Sequence, residues 1–317
     1  MTLFLAIAER SLEFFRFLLV NPVLSVVSRR TDCFNYRRLL KLRFAPFPFM
    51  LPENSHYGYS RAIRNFGGRA YGSRIEHGVF FAESVVADMD LIFTPFRMML
   101  YRLRRVYTFS PRRRDLIMKY LAKRGIRLEV VAVGPYILHA KHFLSAVALK
   151  NIKARLGRVL TVYPLHSIES VAYDYDCQSF LDEIARLKPG YDTVLVSLYW
   201  MDIKRGFASV YENAGCTVVC AGRRDDPNFL SRQKDILALS DRVVTNAVGT
   251  HLGFAVAMNC PCTLFKQTIS REASAGPDET AAQEEWRKNT FPFYSAFAAE
   301  DGEITEVQRN LVSEFWG

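Results

Sequence analysis

From Arg158 onward the chain alternates short, wholly apolar runs with stretches of helical length. The runs Val159–Tyr163, Thr193–Tyr199, Thr217–Ala221, Arg242–Thr245 and Cys262–Phe265 read as strands. Between them, Cys177–Leu187, Asp202–Asn213, Asn228–Leu239 and Thr250–Met258 read as helices. Strands that are apolar on both faces and alternate with helices predict a parallel sheet covered on both sides, the Rossmann-like arrangement. Upstream the rhythm is looser. Tyr57–Asn65, Arg112–Arg124 and Lys141–Leu156 read as helices, Leu128–Val133 and Asp90–Phe93 as strands, and Arg74-Ile75-Glu76 as a strand end. Residues 270–290 read as an exposed polar loop running into a helix, and Glu303–Trp316 as a final helix. The expected fold class is therefore α/β, with a Rossmann-like C-terminal half.

Charge divides the chain in the same way. The whole carries a net charge of +10, but residues 1–155 hold 27 Lys and Arg against 10 Asp and Glu. Residues 156–317 hold 15 against 22. A basic half joined to an acidic half predicts modules with different partners, the basic one facing anionic lipid, nucleic acid or an anionic substrate. We expect an N-terminal domain over residues 1–156, a Rossmann-like domain over 157–300 and a closing helix over 301–317. In residues 1–28, Leu5, Ala8, Leu12, Phe15, Leu18 and Leu19 recur at helical spacing, interrupted by Glu9, Arg10, Glu13 and Arg16. That interruption argues against a spanning helix and a signal peptide, and for a segment lying on an anionic membrane face. A reducing, cytosolic setting fits six cysteines scattered in or beside apolar runs. Arginines interleaved with Tyr101, Tyr107 and Phe109 could stack single-stranded nucleic acid, but no recognised nucleic-acid module accompanies them, so nucleic acid is not the expected partner.

In open α/β sheets ligands bind beyond the carboxyl ends of the strands. Three polar stretches fall at such ends. Glu76-His77-Gly78 follows an N-terminal strand, with His77 a candidate general base and Glu76 either its orienting partner or the base itself. Tyr163-Pro164-Leu165-His166-Ser167 follows the first C-terminal strand and offers His166 and Ser167 as donors to a phosphate. The third runs Asn246-Ala247-Val248-Gly249-Thr250-His251, a tight turn into a helix whose first amides and dipole favour an anion. There, Thr250 is expected to cap the helix, and the hydroxyls of Thr245 and Thr250 to add hydrogen bonds to a phosphate. The sheet rule predicts that the second and third stretches share one crevice, and a cleft between domains would set the first opposite them. His56, His139 and His142 have no such context and read as structural. Arg223, Arg224, Asp225 and Asp226 also follow a strand and read as a turn cluster, with contact to a base or ribose the other possibility. Asp174-Tyr175-Asp176 reads as an acidic lead-in to a helix, with metal binding the alternative, and the cysteine spacing is poor for zinc. No G-x-G-x-x-G, Walker A or G-x-S-x-G motif follows the first strand of either half.

With these residues in place, the layout resembles the two-domain GT-B glycosyltransferases, in particular bacterial capsule and lipopolysaccharide enzymes of the sialyl- and Kdo-transferase kind. Glu76-His77-Gly78 is similar to their base-bearing loop. Tyr163 to Ser167 is similar to their donor-phosphate motif, with Ser167 where many carry Pro. Asn246, Gly249 and Thr250 match the position of their nucleotide-phosphate motif. The resemblance implies an α/β fold of two Rossmann-like domains with a cleft between them, a nucleotide-sugar donor in the C-terminal domain, CMP-linked sugars among the candidates, and a surface-glycan or lipid-linked acceptor against the N-terminal domain. It also implies no bound metal and no cofactor, and a cytoplasmic enzyme peripheral to the membrane. Polyol-phosphate transfer of the teichoic-acid kind, or non-catalytic binding through the basic face, are the alternatives.

Overall fold

The structure is a computed structural model that describes residues 26, 28–42, 54, 56–81, 98, 102–167, 172–272, 277–298 and 302–317. The membrane-facing reading of residues 1–28 and the strand expected at Asp90–Phe93 lie outside or almost outside these residues. In chain order the N-terminal half contains α1 (Tyr36–Leu39), α2 (Tyr59–Asn65), β1 (Ser73–Ile75), β2 (Arg105–Thr108), α3 (Pro111–Lys123), β3 (Glu129–Ala132), α4 (Tyr136–His139) and α5 (Ala146–Leu156). The C-terminal half contains β4 (Val159–Tyr163), β5 (Ala172–Tyr175), α6 (Cys177–Leu187), β6 (Thr193–Ser197), α7 (Trp200–Lys204), α8 (Phe207–Asn213), β7 (Thr217–Val219), α9 (Phe229–Leu239), β8 (Arg242–Thr245), α10 (Thr250–Ala257), β9 (Cys262–Leu264), β10 (Ile269–Glu272), α11 (Pro277–Ala296) and α12 (Glu306–Trp316).

Two parallel sheets organise the chain; the apolar runs predict the C-terminal one, and the N-terminal one includes a strand, β2, that they do not show. The N-terminal sheet has the order β1-β2-β3, and the C-terminal sheet the order β7-β6-β4-β8-β9. In the second sheet the chain first builds outward in one direction from β4, then returns to add β8 on its other side. The reversal point lies between β4 and β8, the place where doubly wound sheets open a crevice at the strand ends. Every residue of β4 and β8 is buried, which their continuous apolar pattern requires.

Several sequence expectations change. The helix expected over Asp202–Asn213 is two helices broken at Gly206, whose φ of 94° suits glycine. The helix expected from Lys141 begins at Ala146, capped by Ser145, whose hydroxyl accepts the Ala148 N–H at 3.2 Å. Within the expected polar loop, Ile269–Glu272 forms β10, antiparallel to β5. The Arg-rich segment holds β2, and its Tyr107 and Phe109 are buried, so neither is presented for base stacking.

The halves share one core. Tyr59, Ile63, Ile75, Phe109 and Tyr136 from the first pack with Tyr163, Leu252 and Phe254 from the second. Trp316 of α12 closes it, fully buried, with its ring so close to Gly253 that a Cβ there would overlap it. The ring also lies 5.5 Å from Phe81 and 5.9 Å from Phe293. Arg112 of α3 pairs with Glu314 of α12 at 2.7 Å, so the last helix touches both halves.

Residues 28–36, grouped by charge with the basic half, dock on the C-terminal half. The Cys220 N–H donates to Cys33 O at 3.0 Å, and Tyr36 packs with Leu160 and Val162. Arg232 of α9, fully buried, fastens this segment. Its Nε donates to Thr31 O at 2.9 Å, Nη2 to Ser28 O at 2.9 Å, and Nη1 to Ala221 O at 3.0 Å and to Asp226 Oδ2 at 2.8 Å. Asp226, equally buried, also accepts the Ser28 hydroxyl at 2.9 Å. The Arg223–Asp226 turn is thus a structural ion-pair cluster. Arg232→Met leaves Asp226 as a buried charge without its cation, and we expect a loss of about 3–5 kcal/mol in urea unfolding with an unchanged m-value. A loss below ~1 kcal/mol would show that the pair does not fasten the segment.

Candidate active site

A cleft of about 300 Å³ opens between the halves at the carboxyl ends of β4, β6 and β8, and His77, His166 and His251 all line it. Each reaches it by a different local device. β1 ends at Ile75, and the Glu76 N–H still donates to Tyr107 O at 3.1 Å, so the ladder continues one step before the chain turns into the cleft. Tyr59 then donates to His77 O at 2.6 Å, which fixes the turn and leaves the exposed ring at the rim. The His77 ring meets Phe80 edge-on, centroids 5.9 Å apart, and makes no hydrogen bond among the described residues.

Glu76 is not placed as a base. Its carboxylate is buried, gripped by Arg113 Nε at 3.0 Å and Nη2 at 2.8 Å, and bonded by the Thr108 hydroxyl. With its lone pairs so engaged, Glu76 anchors the loop, and it is the Phe80 ring that meets the His77 ring. Arg113 also lies over the face of Phe80, 4.5 Å from its centroid, so one cation braces both the carboxylate and the ring beside His77.

The loop after β4 is tied on both sides. Asn246, fully buried, accepts the Leu165 N–H on Oδ1 at 2.6 Å and donates through Nδ2 to Gln267 at 3.0 Å. The Ser167 N–H donates to Asp202 Oδ1 at 3.2 Å, and its hydroxyl accepts from Arg205. Asn246 and Ser167, expected to face the donor, are therefore the fasteners that leave His166 over the cleft. The His166 ring lies 5.0 Å from Tyr199.

The third stretch departs from expectation at its cap. The N-cap of α10 is Gly249, with extended backbone and no side-chain cap bond. Thr250 is the first helical residue, and its hydroxyl accepts the Val79 N–H at 3.4 Å, so the helix start meets the His77 loop directly. Thr245, fully buried, donates to Ala247 O at 3.1 Å and shares a 2.7 Å hydrogen bond with His251 Nε2, which leaves its hydroxyl committed. The His251 ring lies flat on Tyr163 at 5.2 Å. A Cβ at Gly249 would stand 3.0 Å from that ring, close enough that the ring would have to shift by a few tenths of an ångström.

Protein crowds two of these rings, and burial disfavours the imidazolium. His251 falls to about 3, through burial first and the nearby His166 second. Burial alone takes His166 to about 4. Water in the open cleft still reaches the exposed His166, which feels the full shift only when a ligand displaces that water. Both rings are neutral near pH 7 and serve as hydrogen-bonding groups, not charges. Tyr57, Tyr59, Tyr199, Phe229 and Phe254 complete the wall, aromatic residues the sequence pattern did not single out because they are scattered over three helices and the loops beside them. His139 and His142 are structural as expected, bonded to Val133 O and Asp235 Oδ1 at 2.7 Å each. Asp176 caps α6, accepting the Ser179 N–H at 2.9 Å, which is the lead-in role. No group of three or more His, Cys, Asp or Glu among the described residues could hold a metal ion. Likewise no helix among them is long and apolar enough to cross a membrane.

No protein-family model and no curated protein matches the sequence. Among solved structures the chain is similar to sucrose-phosphate synthase from Thermosynechococcus elongatus, at 13% identity and a TM-score of 0.33 over 77% of this chain. It spans 63% of the length of that protein. A glycosyltransferase from Rickettsia africae aligns at 12% identity and a TM-score of 0.33, over 86% of this chain and 79% of its own. An α,α-trehalose 6-phosphate synthase from Burkholderia multivorans aligns at 11% and 0.29, over 81% and 69%. These likenesses are too distant to assign a reaction, and the site is read from its own geometry.

His251 gives that geometry a pH signature. As pH falls below 6.5 the unfolded chain takes up a proton that folded His251 refuses until about 3. Its contribution to stability is therefore complete above 6.5 and is lost progressively between 6.5 and 3. We expect His251→Gln to flatten this acid limb in a series of urea denaturations. An unchanged limb would place the ring in water.

Proposed function

We propose that the chain transfers a sugar from a nucleotide-sugar donor to a surface glycan or lipid-linked acceptor, in the manner of the GT-B enzymes its layout resembles. One observation carries this reading: an uncommitted imidazole of the N-terminal half, His77, shares a cleft with His166 and the start of α10 from the C-terminal half. Glycosyl transfer needs a group to receive the acceptor hydroxyl's proton and a stabiliser for the departing phosphate, and in-line (inverting) transfer sets them on opposite sides of the reacting carbon.

In this reading the donor's diphosphate lies toward the N-terminus of α10, where unpaired amides and the dipole favour an anion. Neutral His166 donates a hydrogen bond to it. Tyr199 and Phe229 provide flat apolar faces for the base or sugar, and His77 takes the proton from the acceptor. Glu76 holds the His77 loop through Arg113, while Asn246 and Ser167 hold the His166 loop. The basic N-terminal half meets the acceptor and an anionic membrane surface.

The test has two arms. Stabilisation by CMP, CDP, UDP or GDP is measured by thermal unfolding, where a ligand at ~100 times its Kd adds about 2.7 kcal/mol. His77→Ala should then leave that stabilisation intact while lowering turnover of the matching nucleotide sugar by about 10²–10⁴-fold. Loss of nucleotide binding in His77→Ala, or turnover within ~2-fold of the parent, would remove His77 from the role of base. No stabilisation by any nucleotide would overturn the proposal.

A further inference from the structure

The cleft wall holds a polar group that the proposed chemistry leaves unused. Gln233 of α9 is only 7% exposed and lines the cleft. Its Nε2 donates to the Tyr163 hydroxyl at 2.7 Å, which stops the carboxamide from turning freely. Its Oε1 makes no hydrogen bond among the described residues, yet it is not one of the unpaired atoms sealed inside the protein. The opening that Gln233 lines is the cleft, so this acceptor faces the space a ligand would fill. Water satisfies it while the cleft is open. A ligand that displaces the water must bring a hydrogen-bond donor of its own, or leave a buried acceptor unmet.

The partner that fixes the amide is itself fixed. Tyr163 is the last residue of β4, its ring lies flat on His251, and burial holds its phenol protonated. One buried phenol thus ties Gln233 to the same sheet register that seats His251. Phe229 stands four residues before Gln233, one turn away on the same face of α9, and both line the cleft. Tyr199, just beyond β6, adds a second aromatic ring. No Asp, Glu, Lys or Arg among the described residues lines this cleft, so recognition there falls to neutral groups and ring faces. Aromatic faces beside a fixed amide acceptor suit a planar ring with N–H groups on its edge: the ring packs on the aromatics and the edge donates to the amide.

From this we infer that Gln233 is a specificity-determining residue that accepts a hydrogen bond from an N–H on the edge of a nucleobase, with Tyr163 as the residue that positions it. That the base belongs to a sugar donor rests on the glycosyl-transfer reading, but recognition of the base edge does not. Sites built to hydrogen-bond an N–H reject analogues that lack it far more strongly than apolar pockets reject a change of size.

Uridine, cytidine, adenosine and guanosine are titrated into the full chain by calorimetry, each beside its counterpart with every base N–H methylated. We expect one or more of the nucleosides to bind at least tenfold more tightly than its methylated counterpart, a difference of about 1.4 kcal/mol. Gln233→Met nearly keeps the side-chain volume but removes the acceptor, and should bring that ratio close to one. Tyr163→Phe keeps the ring on His251 but frees the amide, and should lower the ratio as well. Because each ratio is taken within one protein, a loss of fold stability does not imitate the effect. No preference in the parent, a preference that Gln233→Met keeps in full, or no binding of any nucleoside overturns the inference. An N–H preference in a chain that turns over no nucleotide sugar counts against the glycosyl-transfer reading alone. Turnover of a nucleotide sugar without the preference counts against the inference alone.

Discussion

The pairing of β4 with β8 is the constraint on which the site depends. In that parallel register Tyr163 lies beside Thr245, the last pair before both strands end. The same two residues hold His251, one by stacking and the other by a hydrogen bond. The two loops that leave this pair are joined one residue further on, where Asn246 accepts the Leu165 N–H. A slip of one residue would turn every side chain of a strand to the opposite face. Both strands are buried on both faces in a close-packed core, so such a slip would misfit the contacts on each side, and the positions of His166 and His251 are inherited from the sheet.

The N-terminal half contributes the other wall, and the chain spends much of its buried polar inventory on keeping it there. The Glu76–Arg113 pair braces the His77 loop from behind, Thr250 accepts from Val79, and Arg232 fastens residues 28–31 to the C-terminal half. Buried ion pairs contribute little net stability against an apolar alternative, but they tolerate only one geometry. Each pair lies within one half, behind a segment that meets the other half, which fits a cleft whose opposite walls must be held in register. Trp316 and the shared apolar core supply the bulk of the adhesion, and the polar contacts set its alignment.

How legible this was from sequence follows from the range of the interactions. The C-terminal sheet was plain, because strands buried on both faces leave unbroken apolar runs such as Val159–Tyr163. The crevice was plain too, since strand order places the segments after β4 and β8 side by side. The roles of individual polar residues were not. Asn246, Ser167 and Glu76 stand at strand ends as ligand-facing residues would, yet their partners, Leu165, Arg205 and Arg113, are set by tertiary packing. Threonine is a common cap, but Gly249 takes that position and Thr250 is the first helical residue, its hydroxyl turned to the Val79 N–H. The strand β2 was hidden in an Arg-rich segment whose charge masked four residues of strand, and β10 was hidden in a polar stretch with no apolar pattern. The basic composition of the N-terminal half did carry information, though not the division it suggested: part of that charge, Arg29 with Arg61 and Arg64, gathers where the two halves meet.

The claim that the three cleft histidines form one ligand site is tested most directly by NMR of histidine-labelled protein. The ring resonances of His77, His166 and His251 are followed during titration with the nucleotide sugar that stabilises the fold best, with His139 and His142 as internal references. If the cleft is the site, the first three move together along one saturation curve while the two references stay in place. Movement confined to the references, or none at all under saturating ligand, would contradict it.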